Sequence, residues 1–207
     1  MRYSLDHKAR TRQKILGAAA RRFRTKGFRA AGVDEVMKAA GLTAGAFYGH
    51  FASKDALLAE ALRASFHETR ARLLAGLEAF EGVPWLCAVV GRYLSRAHRD
   101  DPASGCALPA LAAEVGRARG RPREAIESYV RQLVAELAPR APAAPGLSPE
   151  DRVLATVALL SGALALARAV EDPELSDRIL RAARKLAVPE PADAAADDPT
   201  RAPGVER

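Results

Sequence analysis

Apolar residues recur three and four positions apart along most of the chain, and the alternating runs that make half-buried strands are nearly absent, so the pattern predicts an all-α protein. Ile15, Leu16, Ala19 and Phe23 share one face of a helix over 8–26, and Gly27 suits the left-handed cap that would end it. A second helix is expected over 33–40, with Asp34 and Glu35 in the first turn, where the helix dipole favours acids, and Gly41 just past its end. A third, short helix fits 44–50, with Thr43 as the cap whose side-chain oxygen accepts from a free amide.

Ser53 is placed to cap a long fourth helix with an inward stripe of Leu58, Leu62, Phe66, Leu73, Leu77 and Phe80. Pro84 opens a fifth helix to about Arg99, and Asp101-Pro102 stops it; further helices fit 107–118 and 122–138. The segment 139–146 is rich in Pro and Ala and reads as an exposed loop. Ser148-Pro149-Glu150-Asp151 then starts a helix to about Val170, and Asp172-Pro173 starts a last one with Leu175, Ile179, Ala183 and Leu186 facing inward. From Pro189 the chain is Pro, Ala and charge, a composition too poor in large apolar groups to offset the entropy of ordering, so 189–207 is expected to be a disordered tail.

Charge changes this picture, because it is uneven. Residues 1–54 hold twelve Lys or Arg against three acids, while the chain as a whole is only +7, so the rest is slightly acidic. A basic first quarter is what a segment that approaches phosphates requires. Two cysteines without C-x-x-C spacing provide no disulfide framework, and the charged N-terminus lacks the apolar run of a secretion signal, which together point to the cytoplasm. The apolar stretch 153–167 is short of the ~20 residues that cross a bilayer and is read as a helix buried between protein partners, with no membrane involved.

The helix over 33–40, the turn Gly41-Leu42-Thr43 and the helix over 44–50 have the spacing of a helix-turn-helix, whose second helix must be slim to enter a major groove about 12 Å wide. Ala44, Gly45 and Ala46 permit close approach to base edges, and Phe47 and Phe51, four apart, suit an anchor to the core. The run from Ala39 to Leu58, with Gly41-Leu42-Thr43-Ala44-Gly45-Ala46-Phe47-Tyr48-Gly49-His50-Phe51 and Lys54 inside it, resembles the signature of the TetR/AcrR regulators, and Ile15 through Phe23 and Gly27 fit the same pattern. The resemblance implies an N-terminal three-helix helix-turn-helix head, 1–52, on a C-terminal helical bundle, 53–188, that binds a ligand and dimerises. It also implies phosphate contacts from Thr43, Tyr48, His50 and Lys54, and base contacts from Ala44, Gly45 and Ala46. Many members carry Thr or Ser at the start of the second helix, where this chain has Ala31-Gly32-Val33. Double-stranded operator DNA, a second copy of the chain and a small-molecule effector are the implied partners, with the chain acting as a repressor released from a palindrome.

Beyond the head, Phe66, Trp85, Tyr93 and Tyr129 either line a ligand cavity or form ordinary core. The Arg21-Arg22-Arg24-Lys26 cluster is either a solvated helix face or a stretch lying near DNA. The helix over 149–170 is apolar on nearly every side, with Ser161, Gly162 and Ala165 allowing close approach, so one face is free to pack on a twin subunit. His67 and His98 have no second ligand at metal spacing, and no catalytic constellation is visible; no metal, cofactor or enzymatic activity is expected.

Overall fold

The computed structural model describes residues 5–188, and among these there is no β-strand; the expected tail at 189–207 lies outside them. Nine α-helices and two 310 segments follow in order among the described residues: α1 (Leu5–Lys26), α2 (Val33–Ala39), the 310 segment Ala44–Gly49, α3 (Lys54–Leu74), α4 (Gly82–Tyr93), α5 (Arg96–Asp100), α6 (Leu108–Gly116), α7 (Arg121–Leu137), the 310 segment Ala138–Arg140, α8 (Pro149–Ala169) and α9 (Pro173–Ala187). The all-α fold expected from the periodicity is the one found.

The first three segments form a head around Ile15, Ala19, Phe23, Val36, Met37 and Phe47, each at most 1% exposed. Leu57, Leu58 and Leu62 of α3 join this core to that of the body, where α3 packs along α7, and α8 packs along α9. The capping signals read from the sequence act at three helix starts: Ser53 accepts from the Ala56 amide, Ser148 from Asp151 and Asp172 from Glu174.

Four expectations differ, the last of them in α9. The segment Ala44–Gly49, the expected recognition segment of the helix-turn-helix, is a 310 turn rather than an α-helix, and Thr43 precedes it without a side-chain cap bond, so the glycines at 45 and 49 weaken a helix that no cap restores. The stripe from Leu58 to Phe80 is not one helix. Gly76, at φ +72°, turns the chain after Leu74; Leu77 still reaches the core, but Phe80 is left 46% exposed. The helix expected from Pro84 to Arg99 begins at Gly82 and breaks after Tyr93, where Ser95 caps the separate α5 through the His98 amide.

With its polar start Pro149 to Arg152, α8 is 21 residues long, long and apolar enough to cross a membrane by length and composition alone. Its Val153, Leu160, Ala163, Leu164 and Ala167 are buried against the body, while Leu154 and Leu166 face out. On α9, Leu180, Ala183 and Ala187 are buried, but Leu175 and Leu186, expected inside, are exposed.

Candidate nucleic-acid interface and cavity

The recognition segment presents one bare face and buries the other. Phe47 and Phe51 are sealed in the core with ring centroids 5.9 Å apart, and the Arg12 guanidinium lies 4.4 Å over Phe51. Thr43, Ala44, Gly45, Tyr48 and Gly49 are exposed, and Ala46 is half-buried. Tyr48 is 77% exposed, touching Phe47 only edge-on at 5.1 Å. A Cβ built on Gly45 would meet nothing within 4 Å, and its φ is not in the left-handed region, so nothing in the fold demands glycine there.

His50 sits at the edge of this face. Burial, then the positive charges of Lys8, Arg12 and His7, lower its pKa, so the first turns of α1 raise a positive potential beside the recognition segment. Lys54, at the start of α3, is half-buried: its Nζ donates to the Arg29 carbonyl at 3.4 Å and lies 4.5 Å over the Phe28 ring, and burial lowers its pKa. At the start of α2, Gly32 offers no side-chain cap, and a Cβ there would meet nothing within 4 Å.

The basic cluster of α1 splits. Arg22 and Lys26 pair with Glu35, whereas Arg24, 8% exposed, turns into the body: its Nε donates to the Ala103 carbonyl at 2.8 Å and its Nη1 to the Ser65 hydroxyl. Two further links join head to body. Arg12 and Glu60 form a two-pronged ion pair between α1 and α3. Glu114 of α6 accepts from the Phe28 amide at 3.2 Å and the Arg29 amide at 2.9 Å. Gly27 makes room for that carboxylate, since a Cβ would lie 2.5 Å from Glu114 Oε1, and its φ of +84° turns the chain out of α1. The sequence reading missed Arg24 as a tie to the body and Glu114 altogether; neither carries a local signal, because their partners are 41 to 86 residues away.

In the body, an apolar cavity of about 80 Å³ lies among α3, α4, α7 and α8. Trp85, Tyr93 and Tyr129 are on its wall, as are Leu86, Leu133 and Leu160. Phe66 stands one layer behind, stacked flat on Tyr129 with centroids 3.8 Å apart, so this pair separates the cavity from a groove on the outer surface. Residues not singled out in the sequence also line it, among them Arg70, Arg152 and Thr156. Ser161, read earlier as a small residue for helix approach, faces the cavity, with its Oγ 3.5 Å from the Tyr93 hydroxyl. Burial pushes the Tyr93, Tyr129 and Cys106 side chains upward in pKa, so all three hold their protons at neutral pH and Cys106 is not a thiolate. His98 pins the strand of chain that carries Cys106: its Nδ1–H donates to the Tyr93 carbonyl at 2.6 Å, and Nε2 accepts from the Cys106 amide at 3.0 Å. No cluster of His, Cys, Asp or Glu suited to a metal exists among the described residues.

A short exposed helical turn backed by aromatic anchors, set on a basic head above an all-helical body, defines the class of helix-turn-helix DNA-binding regulators. Residues 15–61 match the bacterial regulatory proteins of the tetR family, and residues 82–183 match a tetracyclin repressor-like C-terminal domain. The chain belongs to the TetR family of transcriptional regulators. It is 42% identical over 67 residues to the uncharacterised HTH-type transcriptional regulator YdgC of Bacillus subtilis, a match that spans 32% of this chain and 34% of that protein. The fold resembles E. coli NemR in its reduced form, with a TM-score of 0.71 at 24% identity over 88% of this chain and 99% of that one. It also resembles a TetR-family regulator from Agrobacterium tumefaciens, with a TM-score of 0.71 at 18% identity over 88% of this chain and 100% of that one.

Proposed function

We propose that this regulator is a cytoplasmic repressor that binds a palindromic operator as a homodimer and leaves it when a small molecule enters the body cavity. The observation that carries the reading is the recognition segment: Thr43, Ala44 and Gly45 stand bare beside a 77% exposed Tyr48, on a turn fixed from behind by Phe47 and Phe51. In this reading Ala44, Gly45 and Ala46 meet bases, and Thr43, Tyr48, His50 and Lys54 meet phosphates, which position the head without specifying sequence. Lys54 has a second task, holding the Phe28–Arg29 turn against α3.

Residues 1–52 then serve as the DNA-binding head and 53–188 as the sensing and dimerising body. The exposed leucines of α8 and α9, Leu166 at 60% and Leu186 at 73% among them, supply an apolar face for an isologous contact. Two-fold pairing sets recognition segments roughly 34–36 Å apart, one turn of DNA. Release follows from volume. Small-molecule sites hold roughly 300–1,000 Å³, so an effector must widen a cavity of about 80 Å³, and the wall includes the Arg70–Leu74 end of α3, whose other end carries Lys54. The effector need favour the widened state by only a few kcal/mol to empty the operator.

Selection of duplexes from a random pool by the purified protein tests this reading. A palindromic motif whose affinity falls in Tyr48→Ala supports it; enrichment without any motif, or binding indifferent to that substitution, overturns it.

A further inference from the structure

The cavity wall carries polar groups, and several are already engaged. Thr156 Oγ1 donates to the Arg152 carbonyl at 2.8 Å, Arg70 pairs with Glu136, and the Tyr93 hydroxyl faces Ser161. Trp85 is different. It is 2% exposed, and its Nε1 is buried without a hydrogen-bond partner. Buried indole N–H groups ordinarily find an acceptor, because leaving one unmet forfeits hydration with nothing in return. The Arg140 guanidinium, 5.5 Å from the ring centroid, holds the indole in place while accepting nothing from it. A second donor on the same wall is also unmet: Arg152 Nε is buried and unpaired, its Nη2 donates to the Ala187 carbonyl at 2.6 Å, and no carboxylate pairs with it among the described residues. Two buried donors without partners, on a wall that is mostly apolar, favour a ligand atom that accepts.

We infer that the ligand of this cavity is an apolar molecule bearing a carbonyl or carboxylate oxygen, which accepts the Trp85 N–H and is favoured by the unneutralised charge of Arg152. The inference rests on the effector reading above and names the chemistry of that effector. The binding is noncovalent and moves no proton.

Three probes of similar skeleton test it on the full-length protein: ethylbenzene, acetophenone and benzoate, titrated by calorimetry into the wild type and Trp85→Phe. The comparison runs across the two proteins, because a carbonyl loses hydration on entering and the probes differ in that cost. Phenylalanine keeps an aromatic face and removes the donor, so acetophenone, benzoate or both should weaken by about fivefold or more while ethylbenzene stays within about twofold. Weakening of acetophenone alone identifies a neutral carbonyl as the preferred group, and weakening of benzoate identifies an anion. An equal change for all three probes overturns the inference and leaves the cavity a ligand site of another kind. If none binds the wild type, the inferred ligand chemistry is overturned, while the operator reading is tested separately by the duplex selection. Trp85 is the only tryptophan in the chain, so a shift of its emission on adding acetophenone checks that the probe sits at this wall.

Discussion

Tyr48→Phe removes one oxygen per subunit from the recognition segment and nothing else. The ring is 77% exposed, its edge contact with Phe47 survives the change, and its hydroxyl makes no hydrogen bond among the described residues. Folding stability should therefore move by less than about 0.5 kcal/mol. At an operator the cost is different: a hydrogen bond to a charged acceptor contributes about 1.5 kcal/mol or more, and a dimer loses it at both half-sites, so affinity should fall by about a hundredfold. Tyrosine is uncharged, so the slope of log affinity against log salt should stay as it was. Lys54→Met, which removes one cation per subunit, should flatten that slope by about two units per dimer. Fluorescence anisotropy on the selected duplex at several salt concentrations reads both quantities, and thermal melting confirms the fold. A Tyr48→Phe protein that melts like the wild type and binds as tightly refutes the phosphate contact.

Gly45→Val should leave stability within about 1 kcal/mol, since a Cβ there meets nothing in the protein, yet abolish operator preference by filling the space the bases need; melting and anisotropy separate the two. Leu166→Glu with Leu186→Glu should yield a folded monomer by sedimentation, because both side chains are exposed in the single chain, and operator affinity should fall with dimerisation. His98 is held below its ordinary pKa of 6.5, first by burial and then by Arg168 and Arg72, against the opposing pull of the Tyr93 carbonyl and Asp101. The unfolded chain then takes up a proton more readily than the folded one, so the contribution of His98 is fully present above pH 6.5 and lost as pH falls through the lower folded value. Melting temperature should drop on acidification, and less so in His98→Asn, whose amide keeps one donor and one acceptor. Glu114→Ala should speed amide exchange at Phe28 and Arg29, whose hydrogen bonds it removes; unchanged exchange there would show that the carboxylate does not hold the turn.

The head was readable because its signals are local. Gly27 and Gly41 end α1 and α2, and Ile15, Ala19 and Phe23 recur at helical spacing. The interruption after Leu74 was not readable, because Leu77 continues the periodicity past the turn at Gly76 and reaches the core from beyond it. In α9, Leu175 and Leu186 matched an inward stripe by spacing alone, but the face that packs on α8 is set by Ser176, Leu180, Ala183 and Ala187. Aromatic residues could be nominated for the cavity by type. That Phe66 stands behind Tyr129, and that Trp85 lacks an acceptor, depends on how four helices converge, which no window of sequence contains.

By sequence Arg24 and Gly27 belong to the head; by contact they belong equally to the body. Arg24 needs a carbonyl from the Asp101–Cys106 bend and the Ser65 hydroxyl, and Gly27 exists beside a carboxylate of α6. A hybrid that places a foreign head on this body would strand Glu114 and leave Ser65 facing whatever replaces the guanidinium. A working transplant would have to carry Arg24 of α1 and Gly27 just past its end along with the recognition segment, so the unit that can be exchanged between regulators is defined by these ties and not by the boundary where the helix-turn-helix ends.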